Sequence, residues 1–321
     1  VSATVAAQAA VSALQLVAVC IGGPLLYGMM AKVRARAEGR AGAPVRQPLL
    51  DLRKLIGKEC VHAEHSSVVL PLAPLVLTAS AAAAVMISPL ISTRPAFGRT
   101  ADVFVVVFLL LLGSVAVALA GLDAGTAFGG MGASRAMTIG ALAEPALLVA
   151  VLALSLQAGT SNLPGIVAAT LARPELVASP GRVLALAALV VVVVAETGRI
   201  PVDNPTTHLE LTMIHEAMVL EYAGPELALV TLGGQMRLGL LLSLVANLFF
   251  PWGIAGAGGA AAGAHLLLGL VVLAAKTAAI AVVIAVLEVS MAKLRLFRVP
   301  EILSAAFVLA VLAVVTGLAV P

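Results

Sequence analysis

Eight apolar runs divide this 321-residue chain. Each is close to the roughly 20 residues that cross about 30 Å of hydrocarbon at 1.5 Å per residue. They fall near 6–31, 68–91, 103–122, 136–156, 181–196, 227–250, 263–289 and 299–319. Backbone amides find no water in lipid, so such runs must be helices or closed-barrel strands, and runs this long select helices. The fold class is therefore all-α: a polytopic membrane protein of about eight transmembrane helices, with residues 1–321 forming one transmembrane domain. The fifth run is the weakest, because Pro180 and Gly181 precede a clean apolar stretch of only 183–195; a short or tilted helix ending at Glu196 is expected. With 61% hydrophobic and 11% charged residues, against about 25% charged in soluble domains, no polar stretch remains that is long enough for a second, soluble domain.

Positive charge sets the expected orientation, because short loops rich in Lys and Arg stay on the cytoplasmic side. One set of loops carries Lys32, Arg34, Arg36, Arg40, Arg46, Arg53, Lys54, Lys58, Arg135, Arg199, Lys293, Arg295 and Arg298. The alternate set carries only Arg94, Arg99, Arg173 and Arg182. Both termini are then expected on the outer side of the cell membrane, and loops 32–67 and 197–226 form a cytoplasmic, partner-facing surface. No basic residue precedes Lys32, so residues 1–31 read as a retained first span rather than a cleaved signal. The net charge of +3 does not argue for nucleic acid, since the cations cluster beside spans instead of covering a face. Within the first loop, Leu49, Leu52, Leu55 and Ile56 recur at helical spacing among Asp51, Arg53, Lys54 and Lys58, which predicts an amphipathic helix lying in the interface.

Chemistry concentrates in AETGRIPVDNPTTHLELTMIHEAMVLEYAGPE, residues 195–226. Glu196, Asp203, Glu210, Glu216, Glu221, Glu226, His208 and His215 exceed what a connector between two spans requires. Asn204, Pro205 and Thr206 supply helix-start chemistry, so a helix over about 206–222 is expected. On it Glu210 and Glu221 would share one face within about 20°, and His208 and His215 the opposite one. Ionisable groups also interrupt the spans themselves: Glu144, Arg237, Lys276 and Glu288. An unpaired charge at a helix centre costs about 2.5–3.5 kcal/mol on insertion scales, so these four read as ion pairs or as a proton-conducting path reached from the cytoplasmic face. Carboxylates alternating with Lys and Arg can hold and pass protons near neutral pH, because burial and neighbouring charge move their proton affinities in opposite directions.

Other motifs lead nowhere. His215-Glu216 begins a zinc-protease pattern, but position 219 is Val and the second ligand is missing. Cys60 with His62 and His65 lacks a fourth ligand at a recognised spacing, and the two cysteines cannot hold an iron–sulfur cluster. No phosphate-binding or dinucleotide-binding glycine motif occurs. No catalytic residue, metal site or bound cofactor is expected in this chain.

The 195–226 segment resembles the subunit-1 family of respiratory NADH dehydrogenases and its relatives in membrane-bound hydrogenases. The resemblance continues in GRAGAPVRQPLLDLRKLIGKE (39–59), Glu144, Lys276 and AKLRLFRVPEIL (292–303), and so covers nearly all eight runs in order. NPTTHLELTMIHEAMVLEY is similar to the branch that holds formate hydrogenlyase subunit 4 and hydrogenase-4 component C. The resemblance implies a non-redox anchor and coupling subunit between a peripheral iron–sulfur arm and antiporter-like membrane subunits. Iron–sulfur clusters and a nickel–iron centre would then belong to partners, the hydrogenase large and small subunits. It also implies a proton-relay role for Glu144, Glu196, Asp203, Glu210, Glu221 and Lys276, to which position within the spans adds Arg237 and Glu288. Asp51, Arg53, Lys54, Arg199, His208 and His215 would form the partner-facing or chamber loop. Two readings stay open beside it: a quinone-chamber subunit of an NADH dehydrogenase-like complex, which NPTTH in place of a shorter acidic run disfavours, and an independent ion transporter.

Overall fold

The computed structural model describes residues 2–61, 66–203, 213–255, 262–292, 294 and 298–319. Among the described residues, eleven α-helices run in chain order: α1 (Ser2–Ala37), α2 (Gln47–Ile56), α3 (Val69–Ile87), α4 (Val103–Asp123), α5 (Ala127–Ala158), α6 (Leu163–Ala172), α7 (Pro180–Glu196), α8 (His215–Val219), α9 (Gly224–Phe249), α10 (Ala262–Ser290) and α11 (Val299–Ala319). Seven of them, α1, α3, α4, α5, α9, α10 and α11, are long and apolar enough to cross a membrane. The count is thus about seven rather than eight. The fifth apolar run is indeed a helix, α7, but at 17 residues it spans only about 25 Å. Its last residue, Glu196, therefore ends inside the bundle. The amphipathic segment of the first loop forms α2, with Leu52 buried and Arg53 and Lys54 exposed.

Side-chain chemistry marks the ends of the apolar helices. Asp102, Thr126 and Asn162 stand before α4, α5 and α6, and each accepts a bond from a first-turn amide: Phe104 N at 3.0 Å, Gly129 N at 3.2 Å and Gly165 N at 3.2 Å. Gly159 closes α5 in the left-handed region at φ 72°.

Helix α9 is the central pillar. In its most apolar window 78% of residues are buried, against 28% for α1 and α10 and 22% for α11, so those three turn broad aliphatic faces outward. α9 packs against α1, α3 and α10, while α11 lies against α5 and α7, and α4 bridges α3 to α5. Close approach needs glycine at the α1–α9 crossing, where a Cβ on Gly23 would collide with the carbonyl of Gln235.

The described parts of the connections after α1 and α7 meet at one end of the bundle: Gly224 packs against the carbonyl of Glu59, and Asp123 Oδ2 accepts from the amides of Ser67 (2.8 Å) and Leu70 (3.2 Å). The buried phenol of Tyr222 donates to the carbonyl of Leu70 at 2.9 Å. Burial, and then the charges of Glu226 and Asp123, raise its pKa above the ordinary tyrosine value, so it stays a donor. At the opposite end Arg182, counted from sequence among the loop cations, is only 1% exposed. In the first turn of α7 it reaches Thr170 Oγ1 (2.6 Å), Gln157 Oε1 (3.2 Å) and the carbonyl of Leu248 (3.3 Å), tying α5, α6 and α9 together.

Candidate functional site

Because α7 stops short, the segment that follows it is buried backbone carrying charge, which a membrane tolerates only where protein encloses it. Three residues of this segment face three different walls.

Glu196, the last residue of α7, forms an ion pair with Arg237 in the middle of α9, with side chains 7% and 10% exposed. Arg237 also donates to Ser114 Oγ on α4. Glu144, on α5, lies within electrostatic reach of both Glu196 and Arg237. Glu144 Oε1 and Arg237 Nε are buried with no hydrogen-bond partner among the described residues. Four helices, α4, α5, α7 and α9, thus bring two carboxylates, a guanidinium and a hydroxyl to one place in the bundle.

Three residues on, Arg199 donates to Glu288 Oε1 of α10 at 3.0 Å, and its guanidinium stacks 5.4 Å above the Tyr27 ring of α1. Glu288, 2% exposed, also accepts from Arg34 of α1 at 3.3 Å. One carboxylate so holds two guanidiniums from two elements, and the wall of α1 and α10 is fastened to the segment after α7.

Asp203, 2% exposed, accepts from the amide of His215 at 3.1 Å, and its carboxylate lies 3.5 Å from His215 Nδ1. It thereby receives the start of α8. The helix expected over about 206–222 is not continuous: Met213 and Ile214 are non-helical, and α8 ends at Val219. Burial of both side chains and the bond from Arg135 Nη1 to the Met213 carbonyl (3.1 Å) fix this break. His208 and Glu210 lie outside the described residues, and with them the expected alignments of Glu210 with Glu221 and of His208 with His215. Glu221 stands half-exposed in the turn after α8.

The remaining sequence candidates lie elsewhere. Asp51 accepts from Gln47 Nε2 (2.9 Å) on the exposed side of α2, beside Arg53 and Lys54. Lys276, expected on the path from the polar-loop face, is turned to the other end. Its ammonium donates to Asn247 Oδ1 (2.8 Å) and to the carbonyls of Phe250 (2.8 Å) and Trp252 (3.1 Å), beyond the end of α9. Asn247 in turn donates to the carbonyls of Pro89 and Leu90 after α3. Lys276 therefore spends all three of its protons on one side-chain amide of α9 and two backbone carbonyls just past its end. Lys276→Met should destabilise the protein by about 1–2 kcal/mol, chiefly the cost of stranding the buried Asn247 amide oxygen and the partly buried Phe250 carbonyl, seen as an earlier thermal unfolding transition in detergent. An unshifted transition would show that these carbonyls find other donors.

Sequence reading missed Arg34, Ser114, Tyr27 and Asn247. Ser114 and Asn247 did leave a signal, each a polar residue inside an apolar run. Among the described residues, no three His, Cys, Asp or Glu side chains gather where they could hold a metal.

The arrangement has relatives. The sequence model of the family described as NADH dehydrogenase matches residues 9–319. Formate hydrogenlyase subunit 4 of Escherichia coli (strain K12) is 33% identical over 299 residues, covering 92% of this chain and 94% of that protein. Hydrogenase-4 component C of the same organism is 34% identical over 291 residues, covering 90% of each. Among solved structures, a chain of the membrane-bound sulfane sulfur reductase, an archaeal respiratory membrane complex, superposes with a TM-score of 0.82 at 20% identity, over 96% of this chain and 98% of that one. That last likeness speaks for the fold, and the near end-to-end sequence matches speak for descent: this chain belongs to the NADH dehydrogenase family.

Proposed function

We propose that the chain is the non-redox membrane anchor and coupling subunit of a hydrogenase-type oxidoreductase complex. In this reading it links electron transfer in a peripheral iron–sulfur arm to the movement of protons or cations. The names of its two bacterial relatives support the kind of complex. The observation that carries the coupling role is the buried end of α7 with the segment after it, which together give Glu196 to Arg237 and Arg199 to Glu288, beside a Glu144 oxygen with no partner among the described residues.

The partners in this reading are hydrogenase large and small subunits docked on the face formed by 38–68 and 197–223, which is cytoplasmic by the positive-charge rule, and antiporter-like subunits within the membrane. The chemistry is electrostatic. At an effective dielectric of about 20, a unit charge arriving about 15 Å away shifts a carboxylate's energy by about 1 kcal/mol, roughly fivefold in proton occupancy. An electron on a docked cluster would thus bias the Glu196–Arg237–Glu144 group. Glu144 takes or releases the proton because its Oε1 has no fixed partner among the described residues, whereas Glu196 is engaged by Arg237.

Glu144→Gln in the assembled complex should leave subunit composition and hydrogen turnover in place while proton movement, read as acidification in sealed vesicles, falls to the level of leak. Undiminished pumping by this variant would reject the relay, and loss of assembly without loss of pumping per complex would reduce the group to a docking device.

A further inference from the structure

Between α1, α9 and α10 lies a cavity of about 250 Å³ that the charged group does not use. Its walls are Ala18, Gly22, Gly23, Met29, Gly239 and Ala274, with their neighbours on the same helices. We propose that it holds one acyl chain of an anionic phospholipid from the leaflet on the side of the polar connections.

Depth agrees with this occupant. From Ala18 to Met29 the cavity follows α1 for about 16 Å, roughly half of a 30 Å hydrocarbon core, and so matches one leaflet. Shape agrees too: a Cβ on Gly22 would meet nothing within 4 Å, and Ala274 is exposed, so the space opens sideways from the bundle. Water is a poor occupant of an apolar wall. The two hydroxyls that line it are already satisfied by their own helices, Ser243 by the Gly239 carbonyl (2.7 Å) and Thr277 by the Leu273 carbonyl (2.9 Å). Both hydroxyl protons are thus spent within the protein and are not offered to a ring carbonyl, and this favours a hydrocarbon tail over a quinone. At the polar-loop end, Lys32 lies one turn beyond Met29, and Arg46 follows the lining residue Val45. Neither cation has an ion-pair partner among the described residues, and together they suit a phosphate at the membrane surface.

The test uses the complex purified in mild detergent and native mass spectrometry of its subunits. Wild type should retain one phospholipid on this chain, with phosphatidylglycerol preferred over phosphatidylethanolamine. Gly22→Leu and Ala274→Leu, which project into the cavity, should lower retention at least about tenfold, because excluding even two methylenes accounts for that much. The double variant Lys32→Gln/Arg46→Gln should keep a lipid but lose the preference for phosphatidylglycerol. Should either cavity variant fail to assemble, a phosphatidylglycerol bearing a photoreactive acyl chain, applied to wild type, should label peptides containing 18–29 and 270–278. Unchanged retention in the filled variants, retention of a quinone in place of phospholipid, or labelling confined to other peptides would overturn the assignment. None of these outcomes bears on proton coupling, so the two proposals fail separately.

Discussion

Arg237→Met is expected to destabilise the protein by about 3–5 kcal/mol, because it strands Glu196 as a buried charge without its partner. Glu196 sits at the end of a helix that stops inside the bundle, with a side chain only 7% exposed, so water cannot take over the lost hydrogen bonds. Ser114 would lose a bond at the same time. The physical account makes a second, sharper demand. Removing both charges in Arg237→Met/Glu196→Leu should recover most of the loss, since exchanging a buried pair for packed aliphatics is often neutral or better, whereas removing one member is not. Unfolding in denaturant and recovery of the assembled complex would measure both. Equal losses in the single and double variants would mean that the pair contributes net stability of its own. The recovered double variant would also lack coupled proton movement if the Glu196–Arg237–Glu144 group is the relay, which separates folding from function in one protein.

The second large effect belongs to Glu288→Leu. That carboxylate, with a side chain 1% exposed, takes bonds from Arg34 at 3.3 Å and Arg199 at 3.0 Å, so its loss leaves two guanidiniums facing each other with nothing between them. A cost of about 3–5 kcal/mol is again expected. Its spatial signature should differ from that of Arg237→Met. Arg199 fastens the segment after α7 to α1 and α10, so amide exchange should rise in 197–203 and at the ends of α1 and α10, while α4 and α5 keep their protection. Added salt should change this little, because the pair is buried beyond the reach of screening ions. Uniform loss of protection across the bundle would contradict the local role given to Glu288.

Much of this was visible in the residues alone. The apolar runs marked most of the helices and their order, the Leu-rich spacing of 49–56 marked α2, and the cost of a charge in lipid singled out Glu144, Arg237, Lys276 and Glu288, with Glu196 standing out in the polar segment, before any coordinates. All of these are local: they depend on one stretch of chain and its solvent. Where the reading fell short, the deciding force came from elsewhere in the chain. The 206–222 pattern carried helix-start residues, yet the break at 213–214 follows from burial of Met213 and Ile214 and from Arg135 on α5. Arg182 looks like a loop cation until α5, α6 and α9 supply acceptors around it.

The sequence by itself determined a membrane bundle, its cationic connections, and the short list of side chains that lipid alone could not accommodate. Only the tertiary structure decided which of them meet. Glu196 found Arg237 because α7 is too short to leave the bundle, and Lys276 turned away because the end of α9 offered it three acceptors. Hydropathy is a sum along one helix, blind to its rotation and depth. Pairing depends on both, and helix packing sets them.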